Sequence, residues 1–418
     1  MLTLTFFGSK IAVSIVRRFI MKKVVSILLS IVLIFSHAVF AFAAIPGDNS
    51  VLKFDENGEF KIFNICDIQD DYPMNITTKE YIKDMIKLHS PDLVVLGGDN
   101  STAIKEVKAE AIKELCDIFV ESKTYFTFVF GNHDDEQEVS REELFRMYKL
   151  YGGKYCLAYD AVPSLTGVGT HNLTVKSSDG KRIAYNLYMF DSNSYVRDED
   201  GTWLGYDCVN PDQIEWYKNT SAEIKAANGG KTVNAMAFQH IIVQEINELM
   251  FYECPFAVGE ATRNYDGQSY TYLPFVFNIK DGFLLEAPCP GYYNYGQFDA
   301  FVETGDVVAV FSGHDHFNSF TVEKDGVDIV NTPSCAFGSY ADPTTRGIRM
   351  LTINENDTTV YESEMLTVSE YVLGDGEHLT EYGDVTKGDA VLGIFGMAFF
   401  KFYLQLTDII YLVADIKM

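Results

Sequence analysis

The chain has 418 residues, with 59 acidic and 33 basic side chains that give a formal net charge of −26. Nucleic-acid-binding surfaces need clustered lysine and arginine, so this composition argues against a nucleic-acid partner. Hydrophobic residues make up 47% of the chain and charged residues 22%, which excludes disorder over most of its length. The length allows one large domain or two smaller ones.

The first 44 residues have the composition of an export signal. They contain five basic and no acidic side chains, and the apolar run Val24–Phe35 precedes a small-residue site at Ala41–Ala43. This order is typical of a secretory signal peptide. We therefore predict that residues 1–44 are removed and that the mature protein is secreted or lies at the cell surface. An uncleaved membrane anchor is the alternative, and an upstream start codon could account for residues 1–20.

Strand and helix patterns alternate through the first half of the main domain. Apolar runs predict buried strands at 60–66, 92–96 and 125–130. Capping boxes predict helices that begin at 77–80 and 140–143, and apolar spacing predicts a helix at 104–120. This βαβαβα order predicts an α/β fold with right-handed crossover connections.

The second half is richer in strand patterns. It predicts paired strands at 171–176 and 183–190, a helix at 211–226, strands at 233–238 and 307–311, a hairpin at 319–330, and final strands at 348–353 and 358–365. Residues 252–300 hold many Tyr, Phe, Pro and Gly residues with little periodicity, and we interpret them as a long loop or a cap beside the site.

The C-terminal tail, residues 367–418, carries the apolar run Ala390–Phe400. Eleven residues are too few to cross a bilayer, which needs about 20. With the interrupted apolar stretch that follows, the tail could associate with a membrane surface. A helix that packs on the main domain is an equal alternative.

Five polar clusters stand just after predicted strands. They are Asp67–Gln69, Gly97–Asn100, Gly131–Asp134, Gln239–His240 and Gly313–His316. In open α/β sheets the carboxyl ends of the strands converge on one crevice, so the five clusters could meet there. Carboxylate and amide oxygens and imidazole nitrogens are metal ligands, and four of the eight histidines fall in these clusters. The pattern therefore predicts a metal site.

In this order the clusters resemble the motifs of the calcineurin-like metallophosphoesterase superfamily, D-x-H, G-D, G-N-H-D/E, H and G-H-x-H. The segment Gly131–Glu136 (GNHDDE) is similar to the GNHDxE element of its purple-acid-phosphatase-like branch. The resemblance covers about residues 60–350. It implies a phosphoesterase domain at 45–366 with a four-layer sandwich: two mixed β-sheets flanked by helices, with the site at the C-terminal strand ends.

The resemblance also implies a site for two divalent ions, Mn, Fe, Zn or Mg. A hydroxide that bridges the ions would attack the phosphorus of a small phosphomonoester. His133 would stabilise the transition state or protonate the leaving oxygen, and Asp134 would orient His133. The implied metal ligands are Asp67 and His316 for the first ion, Asp99 between both ions, and Asn132, His240 and His314 for the second.

One position departs from the family pattern, because Gln69 stands where the family has histidine. An amide oxygen is a weaker ligand than imidazole, so the first ion would bind weakly, be Mn²⁺ or Mg²⁺, or use Asp70 or Asp71. Two other functions stay open, and Gln69 is the feature that allows the second of them. The chain could be a phosphodiesterase of the same fold, or a catalytically impaired metal-binding surface module.

Overall fold

The computed structural model describes residues 45–49, 51–253, 262–265, 268–274 and 276–370, together with 402, 405 and 406. The predicted signal peptide and nearly all of the predicted C-terminal tail lie outside these residues. Among the residues described, none of the helices combines the length and apolar character that a membrane span requires.

The strands are β1 (Glu59–Ile65), β2 (Leu93–Gly97), β3 (Phe126–Val129), β4 (His171–Lys176), β5 (Ile183–Met189), β6 (Tyr195–Arg197), β7 (Trp203–Tyr206), β8 (Ala235–Phe238), β9 (Phe251–Glu253), β10 (Thr262–Tyr265), β11 (Gln268–Pro274), β12 (Val307–Ser312), β13 (Thr321–Lys324), β14 (Val327–Asn331), β15 (Gly347–Asn354) and β16 (Asp357–Thr367). The α-helices are α1 (Ile76–His89), α2 (Lys108–Ser122), α3 (Arg141–Gly152), α4 (Pro211–Ala227), α5 (Ile246–Met250) and α6 (Gln297–Thr304).

Two large sheets form the centre of the fold. The first has the order β16-β15-β1-β2-β3, and the second has the order β13-β14-β12-β8-β5-β4. β1, β2 and β3 run parallel in the first sheet, and β5, β8, β12 and β14 run parallel in the second. Antiparallel strands complete one edge of the first sheet and both edges of the second, so each sheet is mixed, as predicted.

Three apolar clusters define the layers. The middle cluster joins the facing surfaces of the two sheets and includes Ile62, Leu187 and Phe311. A second cluster packs helices α1 to α3 on the outer face of the first sheet, and a third packs α4 and α6 on the outer face of the second. The order helices, sheet, sheet, helices confirms the predicted four-layer sandwich.

The helix starts follow local capping chemistry. The predicted capping box at Ser140 is present, because its side chain accepts from the Glu143 amide. The predicted box at Thr77 is wrong, since Asn75 caps α1 and accepts from the Thr77 amide at 2.8 Å. Asparagine competes well for this position because its short side chain reaches the free amides of the first turn.

Two regions contain strands that the sequence pattern did not predict. Within and just before the segment 252–300, β9, β10 and β11 form a three-stranded antiparallel sheet. Further upstream, β6 and β7 form a two-stranded hairpin. This hairpin follows the C-terminal end of β5, which places it beside the predicted site.

Candidate metal centre

Three predicted ligands have a backbone conformation that is uncommon outside glycine. The φ angles of Asp67, Asp99 and His314 are 51°, 51° and 72°, and each residue comes two positions after the end of its strand, β1, β2 or β12. Such left-handed backbone carries a small energetic cost and clusters at functional sites. Here it changes the direction of the chain just after the carboxyl ends of the strands, so the three side chains no longer alternate as they would within a strand.

Backbone amides fix the two carboxylates. The His133 amide donates to Asp99 Oδ1 at 2.8 Å, and the His314 amide donates to Asp67 Oδ2 at 3.0 Å. The other oxygen of each carboxylate faces imidazole. His240 Nε2 lies 3.2 Å from Asp99 Oδ2 and 3.9 Å from Asp67 Oδ1.

Main-chain carbonyls orient two of the imidazoles. His240 Nδ1 lies 3.0 Å from the Gly97 oxygen, and His316 Nδ1 lies 2.7 Å from the Tyr340 oxygen. In both rings this contact directs Nε2 to the carboxylates, and His316 Nε2 is 3.5 Å from Asp67 Oδ1. Fixing one ring nitrogen in this way is how metal-bound histidines are usually held.

Several ligand atoms at the centre are buried without a hydrogen-bond partner among the described residues. They are Asp67 Oδ1, Asn132 Oδ1 and His314 Nε2, whereas His240 Nε2 faces the Asp99 carboxylate. Leaving buried polar atoms unpaired costs about 1–3 kcal/mol each. Ligand atoms of Asp99, His240 and His314 also lie within 4.8 Å of one another. These residues therefore fit a divalent cation by position and by chemistry.

The charge states of the imidazoles follow from this burial. Burial alone would lower the pKa of His240, but the Asp99 and Asp67 carboxylates raise it to about 10. Burial lowers the pKa of His314 well below its usual value and that of His316 to about 4. Two rings are thus ready as neutral ligands, whereas a cation bound by His240 would have to displace its proton.

His133 lies at the edge of this cluster. Its side chain is 40% exposed, and its Nδ1 is 2.6 Å from Glu136 Oε2. The carboxylate accepts the Nδ1 proton, which leaves Nε2 for a substrate. Tyr195 connects the His133–Glu136 pair to the cluster of predicted ligands. Its hydroxyl donates to Glu136 Oε1 at 2.6 Å and accepts from Asn132 Nδ2 at 3.0 Å.

A family model described as calcineurin-like phosphoesterase matches residues 60–318, more than half of the chain. The chain belongs to this family. Probable inactive purple acid phosphatase 14 of Arabidopsis thaliana is 26% identical over 357 residues, which cover 78% of this chain and 81% of that protein. Probable inactive purple acid phosphatase 28 of the same plant is 23% identical and covers 71% and 75%. These relatives place the chain in the purple-acid-phosphatase-like branch.

Two further proteins are similar. Phosphatase DCR2 of Saccharomyces cerevisiae is 24% identical over 376 residues, which cover 80% of this chain and 59% of that protein. A solved dimetal phosphatase from Danio rerio has 11% identity and a TM-score of 0.44, and the match covers 74% of this chain and 99% of that structure.

In this calcineurin-like phosphoesterase, Asp134 does not contact the His133 imidazole, contrary to the sequence-based expectation. Its carboxylate is buried and accepts from the backbone amides of Asp99, Asn100 and Gly131 at 2.8 to 3.0 Å. Asp134 therefore ties the loop after β2 to the loop after β3. Glu136 contacts His133 instead, and the last letter of the GNHDxE motif was the signal for it.

Gln69 also departs from its expected role. Its Nε2 donates to Asp99 Oδ2 at 2.9 Å, and its Oε1 accepts from the Ser339 hydroxyl at 2.7 Å. Both ends of the amide are thus engaged by protein. In this arrangement Gln69 is a hydrogen-bond donor to the predicted bridging carboxylate, and its oxygen does not face the cluster as a ligand would.

The two alternative ligands for the first ion are placed elsewhere. Asp71 is exposed. Asp70 is buried and accepts from the Asn75 amide at the start of α1 at 3.2 Å, and burial raises its pKa to about 6. Asp70 therefore holds the beginning of a helix.

Arg141 is a site-supporting residue that motif matching missed. Its guanidinium is buried, forms an ion pair with Asp191, and donates to the Gly131 oxygen at 2.8 Å and to Ser194 Oγ at 2.5 Å. It also reaches Asp135 at 3.3 Å. Asp191 is 1% exposed and serves this ion pair. Nothing in the sequence pattern pairs these two residues.

Proposed function

We propose that this phosphoesterase is a metal-dependent hydrolase that cleaves a phosphomonoester of a small molecule. One observation carries the proposal: among the described residues, buried ligand atoms of Asp99, His240 and His314, from three separate loops, lie within 4.8 Å of one another. Such a cluster of carboxylate and imidazole atoms supports cation binding, and the family supplies the reaction class.

The chain's own residues would divide the work. Asp67 and His316 would hold the first ion, Asp99 would contact both, and Asn132, His240 and His314 would hold the second. Two bound divalent ions supply Lewis-acid stabilisation of the phosphoryl group and lower the pKa of water. His133, which is exposed and oriented by Glu136, would protonate the leaving oxygen. Manganese, iron, zinc and magnesium all accept this donor set.

Hydrolysis of p-nitrophenyl phosphate with added Mn²⁺ tests this proposal. Mutating a residue that only supports a metal ligand typically lowers metal affinity or activity by about 10- to 100-fold. We therefore expect Asp99→Ala and His240→Ala, which remove ligands, to lose more than about a hundredfold in kcat/KM. His89→Ala, at the end of α1, is the matched control and should keep wild-type activity. Circular dichroism confirms that the variants are folded. Wild-type activity in either folded site variant would refute the proposal.

Gln69 bears on the number of ions. Because its amide is engaged by Asp99 and Ser339, we propose that the first ion is held weakly and the second tightly. Dialysis followed by elemental analysis should retain about one Mn²⁺ per wild-type chain. Gln69→His adds an imidazole and should raise the number towards two, whereas Gln69→Ala should not. Two tightly held ions in the wild-type protein would contradict this view.

A catalytically impaired metal-binding module is the second candidate function. The departure at Gln69 favours it, and two similar plant proteins carry the words "probable inactive" in their names. The contact between His133 and Glu136 supports catalysis instead, because a binding module has no use for an oriented proton donor. Tight Mn²⁺ binding without hydrolysis of any phosphate ester would establish the module.

A phosphodiesterase is the third candidate, and the same assay separates it. We expect p-nitrophenyl phosphate to be hydrolysed with the higher kcat/KM, because a monoester is the substrate proposed here. Bis-p-nitrophenyl phosphate is the matched diester with the same leaving group. A higher kcat/KM for the diester would replace the monoesterase proposal.

Export and surface association complete the proposal. The composition of residues 1–44 supports secretion, and the apolar run in the C-terminal tail supports contact with a membrane surface. Amino-terminal sequencing of the protein from culture medium should give a start near Ala43 or Ala44. Protein that is retained in cells with residues 1–44 intact would contradict export.

A further inference from the structure

The hairpin β6–β7 places aromatic rings against the candidate metal centre. We call Tyr195, Trp203 and Tyr206 the aromatic rim. The Tyr206 ring lies edge-on to His314 with centroids 4.2 Å apart, and the Tyr195 hydroxyl lies 3.0 Å from Asn132 Nδ2. Trp203 and Tyr195 each lie 5.9 Å from Tyr206, centroid to centroid. The rim thus touches two candidate ligands of the second ion.

The rim borders the accessible side of the site. The predicted metal ligands are at most 8% exposed, whereas the His133 and Glu136 side chains are 40% and 38% exposed and Trp203 is 51% exposed. Tyr195 donates to Glu136, which in turn contacts His133. The rim therefore stands next to the residue that would serve the leaving oxygen, where the organic part of an ester must lie.

We propose that the aromatic rim selects phosphate esters whose organic group is aromatic, with Trp203 as the main contact. The inference rests on the proposed function, because it assigns the leaving-group side of that same site. A half-exposed indole beside two tyrosines offers apolar area and ring edges that an aromatic group can cover. A small aliphatic or hydroxylated group would leave the indole in contact with water.

Binding and hydrolysis can be measured with matched pairs that differ only in the ring. Benzylphosphonate and ethylphosphonate are not hydrolysed, so calorimetry with the Mn²⁺-loaded full chain reports recognition alone. Benzyl phosphate and ethyl phosphate release alcohols of similar acidity, so the ratio of their kcat/KM values reports the same preference during catalysis. From the usual energy of an aromatic pair, we expect the affinity and the kcat/KM of the benzyl compounds to exceed those of the ethyl compounds by about three- to tenfold.

Three variants assign the preference to Trp203. Trp203→Ala should abolish it, and Trp203→Phe should keep most of it. Val360→Ala is the control, because Val360 is 59% exposed and lies far from the site. Its neighbour Tyr361 on β16 pairs with Ile353, which pairs with Phe60 at the start of β1, whereas Asp67 follows the end of β1. This variant should match the wild type.

The outcomes separate this inference from the proposed function. A preference for benzylphosphonate that depends on Trp203, without hydrolysis of either ester, would support the rim and refute the hydrolase. Equal affinities for the two phosphonates, a preference that Trp203→Ala keeps, or no binding of either phosphonate would overturn the assignment of the rim.

Discussion

At the scale of single residues, Arg141 connects two loops that carry the site. Its guanidinium holds the Gly131 carbonyl after β3 and the Asp191 carboxylate after β5. Burial would lower the pKa of Arg141, but Asp191 and Asp135 raise it, so the side chain remains a cation. Asn132 and His133 follow Gly131 directly, and their positions therefore depend on this ion pair.

Replacing Arg141 with methionine should destabilise the protein by about 3–5 kcal/mol, because it leaves the buried Asp191 carboxylate without its partner. Arg141→Lys keeps the charge but reaches fewer acceptors, so we expect a smaller loss. Urea unfolding followed by circular dichroism measures both. Arg146→Met, exposed on the same helix, is the control and should stay within about 0.5 kcal/mol. Equal losses at Arg141 and Arg146 would contradict the role of the pair.

The candidate ligands could be predicted from the sequence because each follows a strand. Asp67, Asp99, His240, His314 and His316 all lie together, as their positions after strand patterns indicated. The direction of a side chain within a loop is a different matter, since it depends on hydrogen bonds to distant residues. For this reason the contacts of Asp134 and Gln69 in the structure differ from those predicted from the sequence.

At the scale of elements, one buried histidine joins the edges of the two sheets. His171 on β4 lies with its Nε2 2.7 Å from Thr127 Oγ1 on β3, and its Nδ1 is 2.6 Å from the Gly169 oxygen. The carbonyl accepts the Nδ1 proton, so the threonine hydroxyl donates to Nε2 of a neutral ring. Burial lowers the pKa of His171 to about 4.

This pKa predicts a pH-dependent stability. Between about pH 6.5 and 4 the unfolded chain takes up a proton that buried His171 does not. The contribution of His171 to the free energy of unfolding is therefore fully present above about pH 6.5 and decreases as the pH is lowered. The contribution amounts to a few kcal/mol between about pH 7.5 and 4.5. His171→Phe should lose this dependence relative to wild type, whereas Thr127→Val should be less stable throughout and keep it. Parallel curves for wild type and His171→Phe would contradict the assignment.

Most regular elements were predictable, and the exceptions have a physical cause. Apolar runs and helical spacing located the strands of both large sheets and helices α1 to α4 because those elements bury one or two faces. The hairpin β6–β7 buries little, and its residues are mostly half-buried or exposed, so no apolar alternation marks it. The sequence pattern therefore did not predict the aromatic rim.

At the scale of the whole molecule, the candidate site lies where the two sheets meet. Asp67, Asp99 and Asn132 follow strands of the first sheet, whereas His240 and His314 follow strands of the second. A cation held by both groups would bind only the folded chain, so its binding free energy adds to the stability of folding.

Manganese should therefore raise the midpoint of thermal unfolding. At a free concentration 100 times the dissociation constant, one site adds about 2.7 kcal/mol. A chain with a net charge of −26 also attracts cations weakly over its surface, so the comparison needs a variant. His240→Ala should lose most of the increase, while His89→Ala should keep it. The same increase in His240→Ala would assign the effect to the surface.

Anomalous diffraction from crystals grown with Mn²⁺ tests the central claim most directly, because it locates the ions themselves. We expect the strongest anomalous peak among Asp99, Asn132, His240 and His314, and a weaker one beside Asp67 and His316. Ions found only at surface carboxylates, with these side chains unchanged and unligated, would contradict the account.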